Sequence, residues 1–366
     1  MRSRYLIRIL FFPVILTLVS VTSCGDDEPI EDVSFDRGAM LTSLADGLII
    51  PNFEQLQASV DDLSIAVSNF NETTTQENLI TLRASWVEAV TNYQHCSAFG
   101  FGPGSLPLGP FATVLGVFPV DETQVESNIE DPNFNLAASF DRDVRGFFAV
   151  EYLIYGDGVS DEEIISGFDS NRKAYLKLIV DELQSTFVII TSEWKSTYRE
   201  EFISSEGTSA GSSISLLYND FVKDYENLKN FKVELPAGLT AGQSSADPTL
   251  VEAYYSGIST DLIEAHFESS KNIWFGLSRD NEDLIGFEEY LNEVVGGPEL
   301  TSQTKTAITA IEEAIENLPE GELSANVEAQ EVLTLRDLLQ VNTPNFKSSM
   351  SSLLGISITF NSGDGD

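Results

Sequence analysis

The sequence predicts an almost entirely helical protein. After the first 34 residues, apolar side chains recur in most segments at spacings of three and four, the pattern of a helix with one buried face. The alternation typical of a strand occurs only at residues 356–360, through Ile356, Ile358 and Phe360. Hydrophobic residues make up 42% of the 366 residues, which is enough to form a core, so disorder is not expected.

The first element is an export leader. Three arginines precede an apolar run at residues 9–19, which is shorter than the ~20 residues that a membrane-spanning helix needs. The run ends in Val-Thr-Ser-Cys, and small residues before a cysteine at this place resemble a bacterial lipobox. The resemblance implies a signal peptide over residues 1–23, cleavage before Cys24 and lipidation of its sulfur. The alternative is ordinary secretion with a free Cys24.

The second element, residues 24–34, is an acidic tether without helical periodicity. Gly25 follows the cysteine, which under the best-known sorting rule favours the outer membrane, whereas the acidic residues resemble the surface-export signals of some lipoproteins. We therefore expect a cell-envelope lipoprotein of the outer membrane that contacts the membrane through lipidated Cys24, on the periplasmic face or at the cell surface. Cys96 then has no intramolecular disulfide partner, and we expect it to be buried.

The first helical half is predicted over residues 35–205. One apolar face covers residues 53–70 behind the helix-start residue Pro51, and another covers residues 79–93 behind the possible cap Thr75. Dense glycine and proline then predict a long loop at residues 99–119, and long loops inside domains are typically functional or mobile. Helical periodicity resumes in two further segments, residues 136–155 and residues 161–202.

The second helical half is predicted over residues 211–355, after a serine- and glycine-rich linker at residues 204–213. A polar loop interrupts it at residues 236–248, and residues 356–366 form a C-terminal tail. The predicted helices of this half cover residues 214–231, 250–275, 284–295, 302–318 and 325–341.

Charge and the chemistry-bearing residues exclude several classes of function. With 20 Lys and Arg against 58 Asp and Glu, the formal net charge is −38, which argues against a nucleic-acid partner. Two cysteines rule out an all-cysteine zinc site. Neither His95 nor His266 has a carboxylate one turn away on its own helix, so we expect both to be structural or surface residues unless they meet in space from distant segments.

Residues 145–153, Arg-Gly-Phe-Phe-Ala-Val-Glu-Tyr-Leu, closely resemble the signature of the imelysin family. Its founding members are described as insulin-cleaving bacterial peptidases, and the signature reads Gly-x-His-x-x-Glu followed by Tyr-Leu. The resemblance implies an all-α fold of two packed helical bundles, with the signature segment 145–156 in the first bundle. Further stretches match in the same order, at residues 86–93, 99–103, 118–122, 251–257 and 273–276.

The departure from this signature carries a functional expectation. The signature histidine is Phe148 here, and the position where the family often has a glutamate before its Phe-x-Phe-Gly-Pro stretch is Ser97. A His and a Glu three residues apart on a helix could face one metal ion, but a phenyl ring has no donor or acceptor. We therefore do not expect metallopeptidase activity, we expect no cofactor, and metal binding without the signature histidine stays an open question.

Four retained residues are candidates for lining a ligand pocket: Arg145, Glu151, Asp121 and Tyr155. The structural interpretation stands beside this one, with Glu151 paired to Arg145 or another buried cation and Asp121 capping the helix that follows it. We expect a lipid-anchored, non-catalytic binding or accessory protein whose partner is a small ligand or an envelope protein. The family's link with iron-regulated uptake suggests iron or haem by analogy. The alternatives are a divergent imelysin-type metallopeptidase that uses Glu151 with ligands from elsewhere, and a surface protein that contacts a partner through an acidic face.

Overall fold

The computed structural model describes residues 35–131 and 133–360. The predicted signal peptide, the tether and Cys24 lie outside the described residues, as does the end of the tail. Within the described ranges, none of the helices combines the length and the apolar character that crossing a bilayer requires.

The described chain is built from helices and irregular segments, which confirms the all-α prediction. Its helices are α1 (Arg37–Leu44), α2 (Ile50–Glu72), α3 (Gln76–Gln94), α4 (Ala112–Leu115), α5 (Glu122–Glu130), α6 (Gly146–Tyr155), α7 (Asp161–Gly167), α8 (Ser170–Glu193), α9 (Arg199–Ser204), α10 (Ser213–Asn227), α11 (Ser259–Phe275), α12 (Phe287–Asn292), α13 (Gly297–Glu316), α14 (Gln330–Pro344) and α15 (Ser351–Leu354). Short π-helical segments, Ala45–Ile49, Trp194–Tyr198, Leu228–Glu234 and Asn345–Met350, continue several of them. Single 3-10 turns occur at Gly102–Gly104, Leu136–Ala138, Pro248–Leu250 and Leu323–Ala325.

The long helices follow the predicted apolar faces. In α2 the apolar residues at spacings of three and four, from Phe53 to Phe70, are all buried. Thr75 caps α3 as predicted, since its side chain accepts from the Asn78 amide. Pro51 does not start a helix, because it lies inside a continuous helical stretch that begins at Arg37. Pro51 follows the π-helical segment Ala45–Ile49, at the junction where the hydrogen-bond pattern changes to that of α2.

Three local predictions are wrong in part. The helix expected at residues 136–155 begins only at Gly146, and the helix expected at residues 250–275 begins only at Ser259. Residues 356–360 do not form a strand. The predicted loop at residues 99–119 is present, and it contains the short helix α4 and a hairpin of β1 (Ser105–Leu106) and β2 (Gly109–Pro110).

Packing joins the early and late helices of the chain. In the first half, α2 lies against α3 and α8, and α6 packs on α3 and α8. In the second half, α11 packs on α10, α12 and α13, and α14 packs on α13. Helix α3 also packs directly against α11, and the described residues from Phe35 to Phe360 form one packed unit. The division into bundles at residues 35–205 and 211–355 stays a prediction.

Candidate functional site

The signature helix α6 is buried along nearly its whole length. It begins at Gly146, whose φ of 75° lies in the left-handed region. A Cβ atom at this position would lie 2.0 Å from the carbonyl oxygen of Leu115. The signature glycine is therefore required for both the backbone conformation and the close approach of the preceding loop.

Arg145 fixes the segment that leads into α6. Its side chain is 3% exposed, and Nη1 donates to Glu182 Oε1 on α8 at 2.7 Å. The remaining donors bind the backbone carbonyls of Leu136, Ser139 and Asp141 at 2.8–2.9 Å. Because these carbonyls are satisfied by a guanidinium, the segment before Gly146 does not need helical hydrogen bonds. Arg145 thus pairs with Glu182, and the predicted pairing with Glu151 does not form.

Glu151 is 1% exposed and lies one turn into the buried helix. Its Oε1 accepts a hydrogen bond from the Ser256 amide at 2.7 Å. This amide is presented by a tight turn in which Ala253 has φ 54°. Burial raises the pKa of Glu151 to about 8, because the cost of desolvating the carboxylate outweighs the hydrogen bond from Ser256.

Phe148 makes the surroundings of Glu151 apolar. It is 1% exposed, and its ring lies 5.4 Å from the ring of Phe118 in an edge-to-face arrangement. The cavity that Phe148, Glu151 and Tyr255 share has a volume of about 10 Å³, room for about one water molecule. Among residues 35–131 and 133–360, no three His, Cys, Asp or Glu side chains are grouped so that they could hold a metal ion. The donors at the signature position therefore do not fit a metal.

The other two candidate residues have separate surroundings. Asp121 is exposed and caps α5, because its side chain accepts from the Gln124 amide at 2.9 Å, as the structural interpretation expected. Tyr155 packs edge-on against Trp86, and the guanidinium of Arg83 lies 4.5 Å from its ring centre. None of these contacts joins Asp121 or Tyr155 to Glu151 or Arg145, so the four candidates do not meet at one point.

A much larger cavity, about 490 Å³, lies between the end of α3, the loop around α4, and helices α10 and α11. This volume is in the range of small-molecule sites. Four aromatic side chains contribute to its walls: Tyr93, Phe118, Phe231 and Phe360. Phe118 lines both cavities, and its ring also contacts the ring of Phe148.

The floor of this large cavity is polar. Ser97 Oγ donates to Asp224 Oδ2 at 2.9 Å, and His266 Nε2 lies 2.8 Å from the same oxygen. Asp224 is 4% exposed and His266 is 2% exposed. Within the part of the chain that the structure describes, neither ring nitrogen of His266 makes a hydrogen bond of normal geometry, although Nε2 lies close to Asp224. The position that the family often fills with glutamate, Ser97, is therefore a hydrogen-bond donor to a carboxylate from another helix.

A second buried network adjoins this floor. Lys232 Nζ lies 2.8 Å from Glu252 Oε2, and Gln94 links them, donating to Glu252 at 3.1 Å and accepting from Lys232 at 2.6 Å. Burial lowers the pKa of Lys232, and the charges of Glu252 and Asp224 oppose this effect. The network connects the end of α3 to the second half of the chain.

The two histidines are the buried polar residues that sequence analysis valued least. Both are buried, and His266 reaches Asp224 of α10, whereas its own helix offers no such partner. Burial lowers the pKa of His95 to about 3, helped by the positive charge of Arg279 and by the proximity of His266. The only signal in the sequence was the possibility, left open above, that distant segments bring the two histidines together.

The fold and these sites define an all-helical protein with a ligand-sized cavity and a buried signature helix that has Phe148 at the histidine position. The chain belongs to the imelysin family: the model of that family, peptidase M75 or Imelysin, matches residues 49–343. No curated protein matches the sequence.

Two solved structures share the fold. One, described as an iron-regulated protein A precursor from Parabacteroides distasonis, is 19% identical, with a TM-score of 0.73 over 90% of this chain and 97% of the other. The second is an imelysin-like protein from Psychrobacter arcticum 273-4, with 18% identity and a TM-score of 0.70 over 88% of this chain and 97% of the other.

Proposed function

We propose that this chain is a non-catalytic member of the imelysin family that binds a small molecule in the cavity between α3, α10 and α11. The observation that carries the proposal is Phe148. It puts an apolar ring where the signature has an imidazole, and it contacts Phe118, which forms a wall of the large cavity. The signature helix therefore supports a binding cavity rather than a hydrolytic centre.

The surroundings of Glu151 support the same conclusion. A peptidase that used this residue would need a carboxyl that can reach substrate or metal. Here the carboxyl is buried and accepts a hydrogen bond from the Ser256 amide. The adjoining space of about 10 Å³ is too small for a peptide.

We place the protein in the cell envelope as an outer-membrane lipoprotein attached through Cys24. The lipobox-like sequence before Cys24 supports this placement. We also assign it an accessory role in iron or haem acquisition, supported by its likeness to the protein described as iron-regulated. A strain that lacks the gene should grow more slowly than its parent when iron or haem is limiting. Equal growth would refute the acquisition role and leave the binding role to its own test.

The decisive experiment compares the wild-type chain with a Glu151→Gln variant. Both are loaded with zinc or iron, desalted, analysed for bound metal and assayed for cleavage of insulin and casein with and without chelator. We expect both proteins to retain no stoichiometric metal and to show the same background cleavage. One metal ion per wild-type chain, with chelator-sensitive cleavage that Glu151→Gln abolishes, would refute the proposal and establish the divergent metallopeptidase.

A further inference from the structure

The large cavity combines aromatic walls with an acidic floor. Phe118 and Phe231 contribute walls, and Asp224 forms part of the floor. Phe231 is 50% exposed, unusual for a phenylalanine, and so lies at the opening of the cavity. An occupant would therefore contact apolar rings along its body and a carboxylate at its inner end.

Near the floor, two of the three buried carboxylates form ion pairs with a lysine, and Asp224 does not. Three buried carboxylates, Asp224, Glu226 and Glu252, lie in this region. Lys347 pairs with Glu226 at 2.9 Å, and Lys232 pairs with Glu252 at 2.8 Å. In the described ranges, Asp224 pairs with no lysine or arginine; the ionisable group within ion-pair distance is His266, at 2.8 Å, which carries a charge only when it is protonated.

The two lysines near the cavity, Lys223 and Lys232, do not form an ion pair with Asp224 either. Lys223 also lines the cavity, but it interacts electrostatically with Asp220. Burial raises the pKa of Asp220, and the positive charge of Lys223 opposes that rise. The charge of Asp224 raises the pKa of Lys232 from a longer distance, but the Lys232 ammonium contacts Glu252 and Gln94 directly. The close neighbours of Asp224 are the Ser97 hydroxyl and the His266 ring.

His266 provides an independent observation at the same place. Its ring lines the cavity and is 2% exposed, yet Nδ1 has no hydrogen-bond partner among residues 35–131 and 133–360. A buried polar atom normally has a partner, because leaving it unpaired costs free energy. The floor therefore has hydrogen-bonding capacity that the chain itself does not use.

We infer that the cavity binds a small organic cation, an ammonium or guanidinium group carried on an aromatic or apolar body. The cationic group lies against Asp224, and the body packs along Phe118 and Phe231. A buried carboxylate favours a positive group in a site of low dielectric constant, and aromatic faces attract cations. An anionic ligand would instead be repelled by the carboxylates of Asp224 and Glu226. This inference rests on the proposed function, namely that the cavity is the ligand site.

The test uses three probes of similar shape and different charge: 2-phenylethylamine, 2-phenylethanol and 3-phenylpropionate. Isothermal titration calorimetry on the full chain at fixed ionic strength measures their affinities. We expect the amine to bind at least about tenfold more tightly than the alcohol, as for a charge-assisted hydrogen bond, and the carboxylate to bind most weakly. Asp224→Asn should weaken amine binding by about tenfold and leave alcohol binding unchanged.

Two further variants make the result specific. Glu264→Gln removes the same charge from an exposed position on α11, so it should leave the amine affinity within about twofold. Phe231→Ala removes a half-exposed ring, so it should weaken amine binding several-fold without unfolding the protein. It serves as the test if Asp224→Asn does not fold.

Several outcomes would overturn the inference: no binding of the amine, equal or tighter binding of the alcohol or the carboxylate, or an amine affinity that neither Asp224→Asn nor Phe231→Ala changes. Tight binding of the alcohol or carboxylate that Phe231→Ala weakens would show that the cavity is a ligand site with a different preference. The proposed function would then survive while this inference fails. Stoichiometric metal with chelator-sensitive cleavage would be the distinct failure of the proposed function.

Discussion

The buried pair of Lys232 and Glu252 offers a quantitative test of how the two halves of the chain are held together. Their side chains are 6% and 3% exposed, and the ammonium and carboxylate are 2.8 Å apart. Gln94, at the end of α3, bonds to both. Removing the charge of Lys232 or Glu252 should therefore do more than break one ion pair. It should also weaken the contact that Gln94 makes between α3 and the second half of the chain.

The expected magnitudes follow from burial. Lys232→Met leaves the carboxylate of Glu252 buried without its cation, and Glu252→Leu leaves the ammonium of Lys232 without its anion. Each single change should lower the free energy of unfolding by about 3–5 kcal/mol. The double variant removes both charges, and the remaining cost is the unsatisfied amide of Gln94, about 1–3 kcal/mol. The double variant should thus be more stable than either single variant.

An exposed pair provides the control. Lys195 and Glu54 also form an ion pair, but their side chains are 53% and 45% exposed. Water and ions screen such a pair, so Lys195→Met should change the free energy of unfolding by less than about 1 kcal/mol. The same substitution is therefore made at a buried and at an exposed lysine.

Urea unfolding followed by circular dichroism and by tryptophan fluorescence measures these differences. The two probes should give coincident transitions if unfolding is two-state, which the comparison of free energies requires. The reasoning fails if Lys232→Met costs no more than Lys195→Met. It also fails if the double variant loses the sum of the two single losses, because the buried groups would then act independently.

Three further predictions concern the signature segment and the leader. Arg145→Ala should lower the free energy of unfolding by about 3–5 kcal/mol and speed proteolysis of the loop before Gly146, because the Glu182 carboxylate and three backbone carbonyls lose their donor; an unchanged urea midpoint would contradict this role. The pKa of Glu151 is raised from 4.5 to about 8, so the folded state holds an extra proton between these values and its stability falls as the pH rises. Glu151→Gln should remove that decline of about 1.4 kcal/mol per pH unit, and parallel pH profiles of the two proteins would contradict the raised pKa. Cys24→Ser should move the protein from the membrane fraction to the supernatant of lysed cells, and continued sedimentation with membranes would refute lipid anchoring.

Periodicity predicted the long helices because each has one buried and one exposed face. It overextended the helix that ends at Tyr155, because periodicity does not reveal that the Arg145 guanidinium satisfies the carbonyls before Gly146. It also found a real alternation in residues 356–360, where Ile356 is buried and its neighbours are more exposed. The backbone there bonds to the side chain of Asn219 instead of a neighbouring strand. Alternation predicts which side chains face the core, but not the hydrogen-bond partner.

The large cavity could not be found from local patterns. Its floor brings together Ser97 after α3, Asp224 on α10 and His266 on α11, which are far apart in the sequence. The resemblance to the signature drew attention to Glu151 and Arg145 instead. Ser97, Phe118 and His266 were all noted in the sequence and all line the cavity, but the departure at Ser97 could be interpreted only as a missing ligand.

Phe118 explains how the loss of a signature histidine and the presence of a binding cavity are connected. Its ring packs against Phe148 and also lines the large cavity. An imidazole at position 148 would put ring nitrogens against this aromatic wall and beside a carboxyl that is buried and protonated at neutral pH. A phenyl ring there needs no hydrogen-bond partner, so it can hold Phe118 in place. The phenyl ring that stands at the signature histidine position is thus the one that packs against a wall of the cavity in which Asp224 and His266 form the polar floor.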